Sequence, residues 1–72
     1  MIDKLIEYYE QELSLAKMSI HNPFYDRKEI YNNAVNRMFG AELLAQVLGV
    51  NPVATAKLHL EYSLQLQEIC RK

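Results

Sequence analysis

Two interruptions, His21-Asn22-Pro23 and Gly49-Val50-Asn51-Pro52, cut a chain of 72 residues into three runs of helical length. Both prolines of the chain and one of its two glycines fall in these breaks. The residue before a proline is pushed out of the α region, and a glycine readily takes the left-handed turn that ends a helix. Little is left over for any other element. The expected fold is all-α: an antiparallel three-helix bundle with helices over approximately 2–20, 27–48 and 52–70, forming one helical domain over 1–72, because short connections favour antiparallel neighbours.

Each run carries apolar side chains on more than one face. In the first, Ile2, Leu5, Ile6, Tyr9, Leu13, Ala16 and Ile20 recur at helical spacing as a core-facing stripe. Asp3, Glu7 and Glu10 lie on a neighbouring polar face, with acids near the positive helix start and Lys17 and His21 near its negative end. In the second run, Asp26 is placed to cap the amide of Glu29, and Glu29 to reach back as a capping-box partner. Tyr25 and Ile30 have the spacing of a hydrophobic staple. Its stripe is Ile30, Tyr31, Ala34, Met38, Ala41, Ala45 and Leu48, with Gly49 as terminator. Gly40, inside this run, implies either a close backbone approach or a break. One helix, with room for a kink at Gly40, is the preferred reading.

The third run starts with Asn51 as cap and Pro52 at the first helical position. From Leu58 to Leu66 apolar and polar residues alternate, the period of a half-buried strand. This stretch has no valine, isoleucine or threonine, and the chain offers it no strand partner, so helix is preferred. A helix then places Val53, Ala56, Leu60 and Leu64 on one side and Leu58, Tyr62, Leu66 and Ile69 on nearly the opposite side. One side serves a core and the other requires a second partner. The same surplus recurs at Tyr8, Leu15 and Met18 of the first run and at Phe39, Leu43 and Val47 of the second.

Half of the residues are hydrophobic and 24% are charged, too apolar a balance for a disordered tail. A formal net charge of -1 supplies no overall pull toward nucleic acid or an anionic membrane. No run approaches the ~20 apolar residues of a membrane span, and acidic Asp3 and Glu7 interrupt any leader-like start. With one cysteine, Cys70, no internal disulfide forms, so a cytoplasmic setting is expected.

No arrangement meets the minimal geometry of a catalytic site, and neither cofactor nor metal is expected. Glu7 and Glu10 have i, i+3 spacing, but no glutamate precedes either histidine by three, and Cys70 has no second thiol. His21 and His59 read as boundary or surface residues, and the two glycines are too isolated for a phosphate-binding loop.

Residues 41–58 combine a small residue at Ala45, Gly49 followed by Val50, a polar cap at Asn51 and an apolar Leu58. This stretch, about a quarter of the chain, resembles the helix-turn-helix of bacterial repressors. The resemblance implies a small DNA-binding or accessory transcriptional regulator using 41–60, with Thr55, Lys57 and His59 as candidate DNA contacts. Thr55 stands where that pattern usually has a larger apolar residue, the preceding helix is longer than usual, and Glu61 opposes phosphate. An ordinary helix-glycine-helix corner accounts for the same residues and is preferred.

The sequence therefore reads as a non-catalytic protein-protein interaction or regulatory module, associating as a homodimer or with a helical protein partner. Nucleic acid is the less favoured partner and no membrane is expected. The candidate interface comprises Tyr8, Leu15, Phe39, Leu43, Val47, Leu58, Tyr62 and Leu66.

Overall fold

A computed structural model describes residues 2–71 of the chain. It contains three helices, α1 (Ile2–Ser19), α2 (Arg27–Val47) and α3 (Pro52–Arg71), and no strand among the described residues. Residues 58–66 are helical throughout despite their alternation. Each helix packs against both others, and the bundle is a rod of 40 × 16 × 16 Å.

The breaks work through local hydrogen bonds. Past α1, the Asn22 side chain accepts from the Phe24 amide at 2.9 Å, closing an Asx turn ahead of α2. The Asp26 carboxylate caps α2 by accepting from the Lys28 amide at 3.0 Å, one residue earlier than the expected Glu29. Glu29 does not close a capping box; it turns instead toward a groove beside Tyr25 and Ile30. At the other end of α2, the Gly49 amide donates to the Gln46 carbonyl at 3.1 Å and the Val50 amide to that of Ala45 at 3.0 Å. With Gly49 at φ 101°, this is a Schellman motif. One residue later the Asn51 side chain accepts from the Val53 amide at 2.8 Å and starts α3. Helix α2 runs unbroken through Gly40, where nothing lies within 4 Å of an added Cβ, so neither a break nor a close approach explains this glycine.

Leu5, Tyr9, Leu13 and Ala16 of α1, Ala34, Met38 and Ala45 of α2, and Leu66 of α3 form the buried cluster. Of the expected stripes, Leu48 departs, standing more than half exposed at the end of α2. The larger departure is the rotation of α3. Leu58, Tyr62, Leu66 and Ile69 face the cluster, while Val53, Leu60 and Leu64 face outward. Charge explains the choice. Lys57 falls between Val53 and Leu60, Glu68 lies one turn past Leu64, and Arg71 one turn further, so burying that side would desolvate three charges, of which only Glu68 and Arg71 pair with each other. The opposite side carries no carboxylate, lysine or arginine; Thr55 and the Tyr62 hydroxyl find hydrogen-bond partners there, and His59 Nδ1 does not.

No helix among the described residues is long and apolar enough to cross a membrane.

Candidate interaction surface

Phe39, Leu43 and Val47 stand one turn apart along the outer side of α2, and all three are exposed, Val47 to 81%. On α3, Val53 (73% exposed), Leu60 (61%) and Leu64 form a second outward stripe. Side-chain contacts set the two stripes beside one another. Gln46 Nε2 donates to Thr55 Oγ1 at 3.0 Å, Glu42 Oε2 lies 3.3 Å from His59 Nδ1, and the Phe39 ring meets the His59 ring edge-on at 6.3 Å. With α2 and α3 side by side in this register, their stripes merge into one apolar face across two helices.

The expected interface residues separate accordingly. Phe39, Leu43 and Val47 are on this face. Leu15 is exposed elsewhere, in a groove between α1 and α2 shared with Ser19 and Tyr25. Tyr8, Leu58 and Tyr62 are half-buried and pack against the core cluster, with Tyr8 also lining a groove between α1 and α2. Leu66 is corrected outright: at 0% exposure it is among the most enclosed side chains of the molecule. Val53, Leu60 and Leu64, assigned to the inward side by the sequence reading, take the vacated role. The line of charges along their stripe was the signal that distinguishes the two sides.

The residues named for DNA contact also divide. Thr55 is fully buried, accepting from Gln46 and donating to the Pro52 carbonyl at 3.0 Å, so its hydroxyl reaches no phosphate or base edge. His59 is not a surface residue; it is mostly enclosed between the edges of Tyr9 (6.4 Å) and Phe39, and its Nδ1, although near Glu42, is not aligned for a hydrogen bond. Lys57 alone is exposed.

The most structured polar feature escaped the sequence reading. Glu12, 6% exposed, receives Arg37 in a bidentate fork: Nε to Oε2 at 2.8 Å and Nη2 to Oε1 at 2.8 Å. This bonding pushes the guanidinium pKa further up, and burial followed by the Glu12 carboxylate pushes the Tyr8 phenol up. Arg37 lines two grooves along the α1–α2 seam, one of about 320 Å³ toward Tyr25 and an apolar one of about 460 Å³ toward Leu44 and Leu48. Glu12 sits three residues after Tyr9 and four before Ala16, on the core stripe itself, and a carboxylate at such a position requires a cation opposite. The tyrosines of the core follow the same rule. The Tyr9 hydroxyl donates to the Met38 carbonyl at 3.4 Å, and that of Tyr62 to Glu10 at the same distance.

Among the described residues, no group of three or more His, Cys, Asp or Glu side chains is placed to hold a metal ion. In comparisons with known proteins, no family model, no curated protein and no solved structure matches this chain.

Proposed function

We propose that this chain is a non-catalytic interaction module, an antiparallel three-helix bundle that pairs with a second copy of itself through the apolar face of α2 and α3. The antiparallel arrangement is supported by cross-helix partners whose numbers run in opposite directions: Tyr9 with Met38 and Glu12 with Arg37 for α1 and α2, and Glu42 with His59 and Tyr31 with Gln67 for α2 and α3. Pairing is carried by one observation, that Phe39, Leu43, Val47, Val53, Leu60 and Leu64 are exposed together on neighbouring helices. Contiguous exposed apolar surface marks interaction sites, and most soluble oligomers are twofold homomers. The charges along the stripe favour a copy of this same chain. Lys57 and Glu61, one turn apart beside Leu60, give this face both signs of charge, as a self-complementary surface requires. A standard interface takes roughly 800 Å² from each partner, a modest share of the 5057 Å² surface of this chain.

Analytical ultracentrifugation tests the reading. The expected mass is twice the 8.4 kDa of one chain. Leu43→Glu and Leu60→Glu are expected to return the protein to one copy with its helical circular dichroism intact, whereas Leu66→Glu is expected to unfold it. A wild-type protein that sediments as one copy at millimolar concentration overturns the proposal.

A further inference from the structure

At the end of the molecule formed by the start of α2 and the end of α3, a concavity of about 300 Å³ is lined by Arg27, Lys28, Tyr31, Gln67, Cys70 and Arg71. Three of its six lining residues are cations. Arg37, by contrast, is forked onto Glu12, and Lys4 lies 3.5 Å from Glu7. Here Arg71 meets Glu68 through Nη1 alone, at 3.2 Å, leaving its Nε and Nη2 donors uncommitted. Arg27 and Lys28 have no carboxylate at ion-pair distance among the described residues. The nearest acid in sequence, Asp26, is committed to capping the Lys28 amide. Glu29 lies in a different groove, toward α1.

The neutral groups of the concavity match the charged ones. Gln67 Nε2 donates to the Tyr31 hydroxyl at 3.4 Å, which leaves that hydroxyl free to donate in turn. The Tyr31 ring and the aliphatic stems of the basic side chains supply an apolar wall. The field of this cluster reaches the buried side: burial raises the Cys70 thiol pKa, and Arg27 pulls against that rise.

We infer that this concavity is a binding site for a small phosphate-bearing anion, held by Arg27, Lys28 and Arg71 with its uncharged part against Tyr31. Two guanidinium groups favour phosphate over a single carboxylate, because their planar forks match pairs of phosphate oxygens and three cations suit a group with more than one negative charge. The site lies at the opposite ends of α2 and α3 from Val47 and Val53, and it stands or falls independently of pairing between copies.

Cys70, the only cysteine of the chain, lines the concavity and reports on its occupancy. The probe is inorganic pyrophosphate, and the readout is the rate at which Cys70 exchanges with a neutral aromatic disulfide and with a dianionic one, at constant ionic strength. The site is expected to favour the dianionic reagent, and pyrophosphate is expected to slow both reactions several-fold. In Arg27→Glu/Lys28→Glu, with circular dichroism showing an unchanged fold, the dianionic preference is expected to reverse and the pyrophosphate protection to vanish. Arg71→Gln, which leaves the start of α2 untouched, is expected to weaken protection without reversing the preference. Protection that chloride reproduces at equal ionic strength, or none at millimolar pyrophosphate, overturns the proposal.

Discussion

Single residues carry the polar interior of this protein, and the Glu12–Arg37 pair shows how. Glu12 is enclosed while Arg37 keeps nearly half of its side chain in solvent, so the pair is desolvated on one side only. Removing the cation leaves a buried carboxylate without a partner, whereas replacing both with apolar residues removes the need for either. Arg37→Ala is expected to lower stability by about 2 kcal/mol in urea denaturation, and Glu12→Leu/Arg37→Met to recover most of that loss. Tyr9 sets the alkaline limit. Its phenol is enclosed, and burial, followed by the nearby Glu42 charge, raises its pKa from 10.0 to about 12. Because the folded protein holds this proton more tightly than the unfolded chain, the contribution is complete below pH 10.0 and is lost as pH rises toward about 12. Helical signal followed through that window is expected to fall, and Tyr9→Phe to lose less of it, since Tyr8 and Tyr62 are shifted in the same direction.

At the scale of elements, helix boundaries were the most legible part of the sequence. They depend on short-range chemistry: Asp26 and Asn51 cap amides two residues ahead, and Gly49 takes the positive φ that the corner requires. Gly49 cannot be exchanged without strain. Gly40 is the opposite case, a helical residue with open space around it. Gly40→Ala is therefore expected to stabilise the protein by about 0.5–1 kcal/mol, seen as a higher melting temperature with the secondary structure unchanged. What the element scale hid was the rotation of α3. Its two stripes are of similar hydrophobicity, so periodicity alone does not rank them; the ranking comes from Lys57, Glu68 and Arg71 on one side and from Thr55 and Tyr62, each with a polar partner on another helix, on the other.

For the molecule as a whole, a rod 16 Å across leaves each helix with a side that no third helix reaches. A small bundle covers only part of the apolar surface of its chain, and part of the remainder lies where α2 and α3 turn outward, with Met18, Phe24 and Tyr25 exposed elsewhere. The proposed pairing has a thermodynamic consequence of its own, because association that involves only folded chains raises apparent stability with concentration. The melting temperature is expected to climb between micromolar and millimolar protein and to become independent of concentration in Leu60→Glu. Of the surface expected from sequence, Leu15, Phe39, Leu43 and Val47 remain exposed, while Leu66 passes into the core and Leu60 and Leu64 come out.

By itself, the sequence determined the number of helices, their limits and the existence of two apolar sides on the third, because capping, glycine and proline act within a few residues of where they stand. The tertiary structure decided which side of α3 is inside, that Glu12 meets Arg37 across 25 positions of chain, and that Arg27, Lys28 and Arg71 share one concavity. Those outcomes depend on which charges find partners when three helices close on each other, a condition that only the assembled bundle imposes.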